Sequence, residues 1–268
     1  RVGRIRKRFD VLGNRVWDKV LVAFLPSPTD PFVKLPITYD RAYGGADSIP
    51  KNPEITSTYL DNPIGIGYYP LTKNRALIGK PLANTCEIGR PAIGTEGKYR
   101  PMSFGPVSRN TRDRVKHAGT YDQAWVEDLA PFWPKDFDYR FFQSAPLDQQ
   151  IPHLLGGEEV ELENLSAEGL EHFRIPKFSM PVIFAPHRGQ EEKATAMCDT
   201  LMIEPDENRF TLTWRAPFGL RRNMFELKEI IVGEMPWSWR TARRSRITGK
   251  RHYGSLEELI QTNRRKKS

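Results

Sequence analysis

The amino-acid sequence predicts a mainly β protein: multi-stranded antiparallel sheets in a sandwich-like arrangement, with long Pro/Gly-rich irregular connections and a few short helices. Three observations carry that expectation. The 268 residues include 22 Pro and 20 Gly, enough turn formers to favour many short strands over long helices. Strand-like alternation recurs from the first residues to about residue 215, whereas helical periodicity is confined to short stretches near 120–129 and 255–262. A hydrophobic content of 38% with 28% charged residues describes a globular chain, long enough to bury a core without disulfide or metal staples. The expected organisation is one β-rich domain over residues 1–235 and a basic tail with a short helix over 236–268.

The elements follow in order. The opening run alternates Ile5, Phe9 and Val11 with Arg4, Arg6 and Arg8, as a half-buried strand does, before a Gly13-Asn14 turn. Lys7 breaks its inward row, and the basic stripe reads as a solvated or edge strand whose charges discourage edge pairing. From Pro26 to Pro106 the density of Pro and Gly predicts irregular structure with short strands. Thr120 is placed to cap a short helix presenting Tyr121, Ala124, Trp125 and Leu129 on one face, stopped by Pro131 and Pro134. Gly156-Gly157 makes a turn before a strand whose Val160 and Leu162 point inward. The clearest hairpin runs through Leu201 and Ile203, turns at Pro205-Asp206-Glu207-Asn208, and returns with Phe210, Leu212 and Trp214 on one face. Finally, Ser255-Leu256-Glu257-Glu258 matches a capping box and opens a helix through about Thr262, with Leu256, Leu259 and Ile260 as its stripe.

Charge is unevenly distributed. Residues 240–268 hold ten Lys/Arg against Glu257 and Glu258, so the whole net charge of +8 resides there and the preceding 239 residues balance. The body is therefore not a cationic nucleic-acid surface on average, and a nucleic-acid partner is expected only through the tail. The chain begins at Arg1 without a charged and then apolar leader, and it reads as a fragment or a processed chain. No apolar run approaches the roughly 18 residues of a membrane span. Cys86 and Cys198 lack CxxC partners, which points to a reducing compartment; the expected location is the cytoplasm, with no membrane partner.

Signatures of chemistry are sparse. His117, His153, His172, His187 and His252 lie far apart without HxH or HExxH spacing, so no metal is expected. No GxSxG elbow or GxxxxGK[ST] loop occurs, and the Gly-rich string from Asn62 to Tyr68 lacks the strand and helix of a phosphate cradle; no cofactor is expected. Asp136 and Asp138, with Glu158 and Glu159 further on, supply the carboxyl groups that an acid/base hydrolase needs. The same aspartates beside turn residues and Arg140 better suit backbone capping and an ion pair. Trp237 and Trp239 interleave with an Arg-rich run, a mix that suits stacking on single-stranded nucleic acid or anchoring on an acidic protein.

Seven strings in order carry a resemblance: LPITYDRAYGG (Leu35 to Gly45), DNPIGIGY (Asp61 to Tyr68), FGPVSR (Phe104 to Arg109), AGTYDQAW (Ala118 to Trp125), PKDFDYRFFQSAPLDQQ (Pro134 to Gln150), LLGGEEVELENL (Leu154 to Leu165) and IEPDENRFTLTWR (Ile203 to Arg215). Together they resemble a bacterial family of unassigned biochemical activity whose genes accompany the VgrG and PAAR spike proteins of type VI secretion systems. The resemblance implies a β-rich fold and a non-enzymatic accessory role: an adaptor or chaperone that binds an effector or its PAAR-bearing carrier and delivers it to the VgrG spike. No catalytic residues come with it, and family members usually carry a further β-rich segment before the part that matches Arg1. Ile66 stands where a basic residue is common, and the FGP string lacks a Trp near Thr111. Tyr39, Arg41, Tyr43, Tyr121, Asp122, Trp125, Asp136, Asp138, Arg140, Trp237 and Trp239 are the candidate partner-binding residues, being of the types that most often anchor interfaces or pairing with them. Tyr121, Trp125, Phe137, Phe141 and Phe142 equally suit a core. The alternative functions are a hydrolase with a carboxylate site, or a nucleic-acid binder acting through the basic tail.

Overall fold

The computed structural model describes residues 1–152, 154–220 and 224–265; His153, Lys266 and Lys267 lie outside the described residues. The fold is mainly β, with several antiparallel sheets and few helices. The chain divides into two compact units, Ile5–Gln150 and Arg1–Arg4 with Ile151–Ser268.

The first unit contains, in chain order, β1 (Asp10–Val11), β2 (Trp17–Val20), β3 (Ala23–Pro26), β4 (Tyr43–Gly44), β5 (Ala46–Ile49), β6 (Asn52–Thr58), β7 (Ile66–Gly67) and β8 (Thr85–Cys86), then helices α1 (Arg112–Val115) and α2 (Gln123–Asp128). Its ladders are short. β2 with β3 and β5 with β6 form hairpins, β1 pairs antiparallel with β8, and β4 pairs parallel with β7. Such brief pairing leaves many backbone groups to be satisfied by side chains. Tyrosines do much of this: Tyr43, Tyr59 and Tyr69 sink their rings into the core and donate their hydroxyls to the carbonyls of Glu96, Tyr99 and Pro81, at 2.9 Å in each case. Two apolar clusters result, Trp17 with Tyr69, Leu77 and Leu82, and Tyr43 with Ala83 and Ala92, flanked by Tyr59, Tyr68 and Tyr99.

The second unit is built of longer strands: β9 (Glu159–Glu163), β10 (Leu170–Arg174), β11 (Met180–Pro186), β12 (Glu192–Glu204), β13 (Arg209–Arg215) and β14 (Leu227–Val232), followed by α3 (Trp237–Thr248) and α4 (Leu256–Arg265). β9 and β10 form a hairpin, with Val2 bridging to Val160, and the remaining strands make one antiparallel sheet in the order β13-β12-β11-β14. The predicted hairpin is present: a 3-10 turn over Pro205–Glu207 ends at Asn208 in the left-handed region, φ 46°, joining β12 to β13. Val160 and Leu162 are inward as expected, buried with Ile175 against Leu201, Ile203 and Leu212. Phe210 stacks on Phe173 with ring centroids 5.1 Å apart.

Three local expectations are corrected. The opening run keeps its alternation, with Arg4, Arg6 and Arg8 exposed and Ile5, Lys7 and Phe9 turned inward, yet only Asp10–Val11 joins a ladder. Lys7 belongs to the inward row because it finds the buried Tyr39 hydroxyl and the Asp148 carboxylate there. Thr120 does not cap α2; Asp122 does, accepting from the Trp125 N–H at 2.9 Å, while the Thr120 hydroxyl is turned to Asp136. The Trp/Arg segment is helical: α3 starts after Pro236 and stops at Gly249, whose φ of 63° is accessible to glycine at little cost. The cap at α4 forms at Ser255 as expected, its hydroxyl accepting from the Glu258 N–H, while the Glu258 carboxylate reaches one residue further back and accepts from the Gly254 N–H.

Candidate functional site

Two of the recognisable strings meet in the first unit and explain each other structurally. Asn62 is fully buried, and its side-chain amide donates to the carbonyls of Tyr39 at 2.7 Å and Tyr43 at 3.1 Å, with Ala42 at 3.4 Å sharing the same two protons. The TYDRAYGG loop is thereby tied to the DNPIGIG loop. A Cβ on Gly65 would run into the Ala42 carbonyl oxygen and the Asn62 amide, and Gly45 adopts φ +105°, so glycine is required at both. Tyr39 and Tyr43 are buried, and Arg41 is half-buried with a guanidinium N–H reaching Asn84 Oδ1 at 3.4 Å.

Beneath this knot lies the Lys7 cluster. Its ammonium donates to Tyr39 Oη at 3.0 Å and to Asp148 Oδ1 at 2.9 Å, and it faces the rings of Tyr39 and Phe104 at 5.5 and 5.9 Å. Arg100 approaches the other Asp148 oxygen at 3.6 Å. Burial pulls the Lys7 ammonium below the usual lysine range, against the pull of Asp148, and burial pushes the Tyr39 phenol up so that it stays protonated. The cluster buries the Lys7 ammonium while Asp148 and Arg100 reach toward solvent.

The segment from Thr120 to Phe142 is of a different kind. The Asp136 carboxylate accepts from the Thr120 N–H and hydroxyl at 3.0 and 2.8 Å, closing the loop between them. Asp138 accepts from the Arg140 N–H and Nε–H at 2.8 and 2.7 Å, and His117 Nδ1 lies 3.4 Å from it. Arg114 donates to the carbonyls of Phe141 and Val107, both at 2.9 Å, fastening the segment to the loop before α1. On this frame the aromatic rings lie against one another: Trp133 stacks on Phe137 at 4.4 Å, Phe142 meets Trp133 edge-on at 5.8 Å, and Tyr139 meets Phe137 at 5.7 Å. Tyr121 packs edge-on against Trp125 at 4.8 Å, and the Trp125 indole donates to the Phe132 carbonyl. The rings are nevertheless open to solvent, with Phe132 74%, Tyr139 76%, Trp133 52% and Tyr121 50% exposed.

This arrangement can hold a surface rigid, and its two aspartates are not poised as general acids. The bonds from Arg140 hold the Asp138 carboxyl at about 2, and those from Thr120 hold Asp136 below the usual carboxylate range. A general acid working near neutral pH needs the opposite shift. Glu158, the third carboxylate of the hydrolase reading, belongs to the other unit and accepts from the Leu155 N–H at 2.8 Å. Among the described residues no group of three or more His, Cys, Asp or Glu side chains is placed to hold a metal ion, and no helix is long and apolar enough to cross a membrane.

The candidate residues therefore divide. Tyr121, Asp122, Trp125, Asp136, Asp138 and Arg140 come together on one surface segment, Tyr39 and Tyr43 are buried in the knot with Arg41 beside them, and Trp237 and Trp239 stand exposed on α3 in the other unit. Phe132, Trp133 and Tyr139 were not picked out from the sequence as surface residues. Their signal was six aromatics within residues 132–142 with neither helical nor strand period, a density that a loop does not need for its own fold.

Comparison with known proteins places the chain. The family described as uncharacterized protein conserved in bacteria (DUF2169) matches residues 1–215, which includes the knot, the aromatic segment and the β12–β13 hairpin. No curated protein and no solved structure matches the chain. With four-fifths of its length inside that match, the chain belongs to the DUF2169 family of uncharacterized proteins conserved in bacteria.

Proposed function

We propose that this chain is a cytoplasmic adaptor or chaperone of a bacterial type VI secretion system, one that grips an effector or its PAAR-bearing carrier and helps load it onto the VgrG spike. The observation that supports this reading is the aromatic layer of residues 121–142, pinned by Asp122, Asp136, Asp138 and Arg114, in which Tyr121, Phe132, Trp133, Tyr139 and Phe142 are exposed to solvent. Pinned rings lose little side-chain entropy on binding and release water from a large apolar area, the property of interface hot spots. The ordered strings of the sequence supply the secretion context.

The test is co-expression with VgrG, PAAR and effector proteins of a type VI secretion system from the same source, followed by affinity capture. The intact chain is expected to retain one of them, and the Trp133→Ala/Tyr139→Ala variant to lose at least tenfold in capture while its circular dichroism is unchanged. A wild-type chain that leaves all three unbound, or a folded double variant that captures as well as the parent, overturns the proposal.

A further inference from the structure

The C-terminal helices lie beyond residues 1–215, the part that matches the family, and their chemistry differs from that of the aromatic layer. From Arg240 to Arg265 there are seven Arg and one Lys against two Glu. This is not a loose tail. The Trp237 indole N–H donates to the Gly254 carbonyl, Ser245 Oγ accepts from the His252 N–H at 2.8 Å, and Thr248 Oγ1 lies 3.0 Å from the His252 ring, so α3 and α4 are tied through their connection. Arg243 is the cation that anchors α3 to the sheet, pairing with Glu191 at 2.6 Å and with Glu229 on β14. Arg240, Arg244, Lys250 and Arg264 form no ion pair among the described residues.

Spacing then decides what is displayed. Trp237, Arg240 and Arg244 stand at i, i+3 and i+7, which brings them to one face of α3, the two arginine backbones about 6 Å apart along the axis. Arg240 donates its Nε–H to the Met235 carbonyl at 2.8 Å, while its terminal nitrogens take part in no ion pair among the described residues. Trp237 remains 63% exposed although its N–H is bound, so the bond fixes the ring and leaves a π-face to solvent. Beyond the helix end, the Arg251 guanidinium lies 5.2 Å from the Tyr253 ring centroid, a second aromatic with a cation upon it.

We infer that α3 and its connection to α4 form a binding surface for single-stranded nucleic acid, with Arg240 and Arg244 on successive phosphates and Trp237 stacking on a base. The preponderance of Arg over Lys favours this ligand, because the planar fork of guanidinium matches phosphate oxygens in pairs, whereas a surface serving only solubility has no reason to prefer it. The pinned indole favours it over an acidic polypeptide, since a base offers a ring to stack on and a run of carboxylates does not. The inference is independent of the adaptor reading: it concerns the other unit and uses none of the aromatic layer.

Fluorescence anisotropy of the full chain with a labelled oligothymidylate of about 20 nucleotides tests it. Binding is expected to weaken as salt rises, by a log–log slope of about 0.7 per neutralised phosphate. Arg240→Gln/Arg244→Gln is expected to reduce affinity at least tenfold and to flatten the slope by about 1.4, two phosphates at that increment. Trp237→Leu is expected to weaken single-strand binding about tenfold while changing affinity for the matching duplex less than twofold, circular dichroism reporting that α3 persists. Polyglutamate of equal charge serves as the acidic-protein arm. Polyglutamate binding as tight as the oligonucleotide, or affinity untouched by the arginine substitutions, overturns the inference.

Discussion

The two units of this chain satisfy their backbones by opposite means. In the second unit β12 extends over thirteen residues, pairing with β13 along one half and β11 along the other, so ladder hydrogen bonds do the work and the side chains are left to pack. In the first unit ladders are two to four residue pairs long, and buried polar side chains reach into the gaps: Asn62 to the carbonyls of Tyr39 and Tyr43, Arg15 to Ala83, Arg114 to Phe141 and Val107, and the Asp47 carboxylate to the N–H groups of Leu71 and Thr72. The lesson concerns tolerance. A packed apolar position accepts a smaller or reshaped side chain at modest cost, whereas a clamp leaves buried carbonyls unpaired if its donor is removed.

The sharpest way to break this contrast is Asn62→Ala, expected to destabilise the first unit by about 3 kcal/mol in urea unfolding, since the Tyr43 carbonyl loses its donor and the Tyr39 carbonyl keeps only the Ala42 N–H at 3.3 Å. Asn62→Leu, of similar size, is expected to be no better; rescue by leucine would mean that Asn62 acts through volume rather than donation. Next comes Lys7→Ala, which removes the donor to Tyr39 and Asp148 and is expected to cost about 2 kcal/mol, with Arg100 still facing Asp148. In the sheet unit the matching experiment is Ile175→Val at a fully buried position, expected to cost about 1 kcal/mol. A loss there equal to that of Asn62→Ala would erase the distinction.

The smallest effect is a pH dependence confined to the aromatic segment. Asp138 has its carboxyl held at about 2, against roughly 4 for a free aspartate. A depressed carboxyl stabilises above its unfolded value and loses that contribution as pH falls through the folded one, so the Asp138–Arg140 contact is expected to loosen between about pH 4 and pH 2 and to be intact at neutrality. Carboxyl NMR titration should place the Asp138 midpoint near 2, and a midpoint near 4 would show that the pairing does not hold the loop in solution.

The comparison also explains what could be read beforehand. The hairpin through Pro205 and Asn208, the inward Val160 and Leu162, and the cap at Ser255 were legible because each rests on periods of two or on caps spanning a few residues. In the first unit, Gly44-Gly45 and Gly65 could be read as turns, yet nothing in their neighbourhood says that Asn62 ties them together. Thr120 and Asp122 are both good capping residues, and which one caps α2 depends on Asp136, sixteen residues beyond Thr120, claiming the threonine. The helix over Trp237–Thr248 went unread because its cations and two indoles carry no clear apolar stripe.

By itself, then, the sequence determined the mainly β character, the hairpin of the second unit and the concentration of positive charge at the C-terminal end, all of which depend on local pattern and composition. Only the tertiary structure decided the division after Gln150, the burial of Lys7 against Tyr39 and Asp148, and the exposure of Trp133 and Tyr139. The physical reason is range: alternation and capping act between neighbours, while Lys7 and Asp148 stand 141 residues apart, and a ring is buried or bare according to what distant chain folds over it.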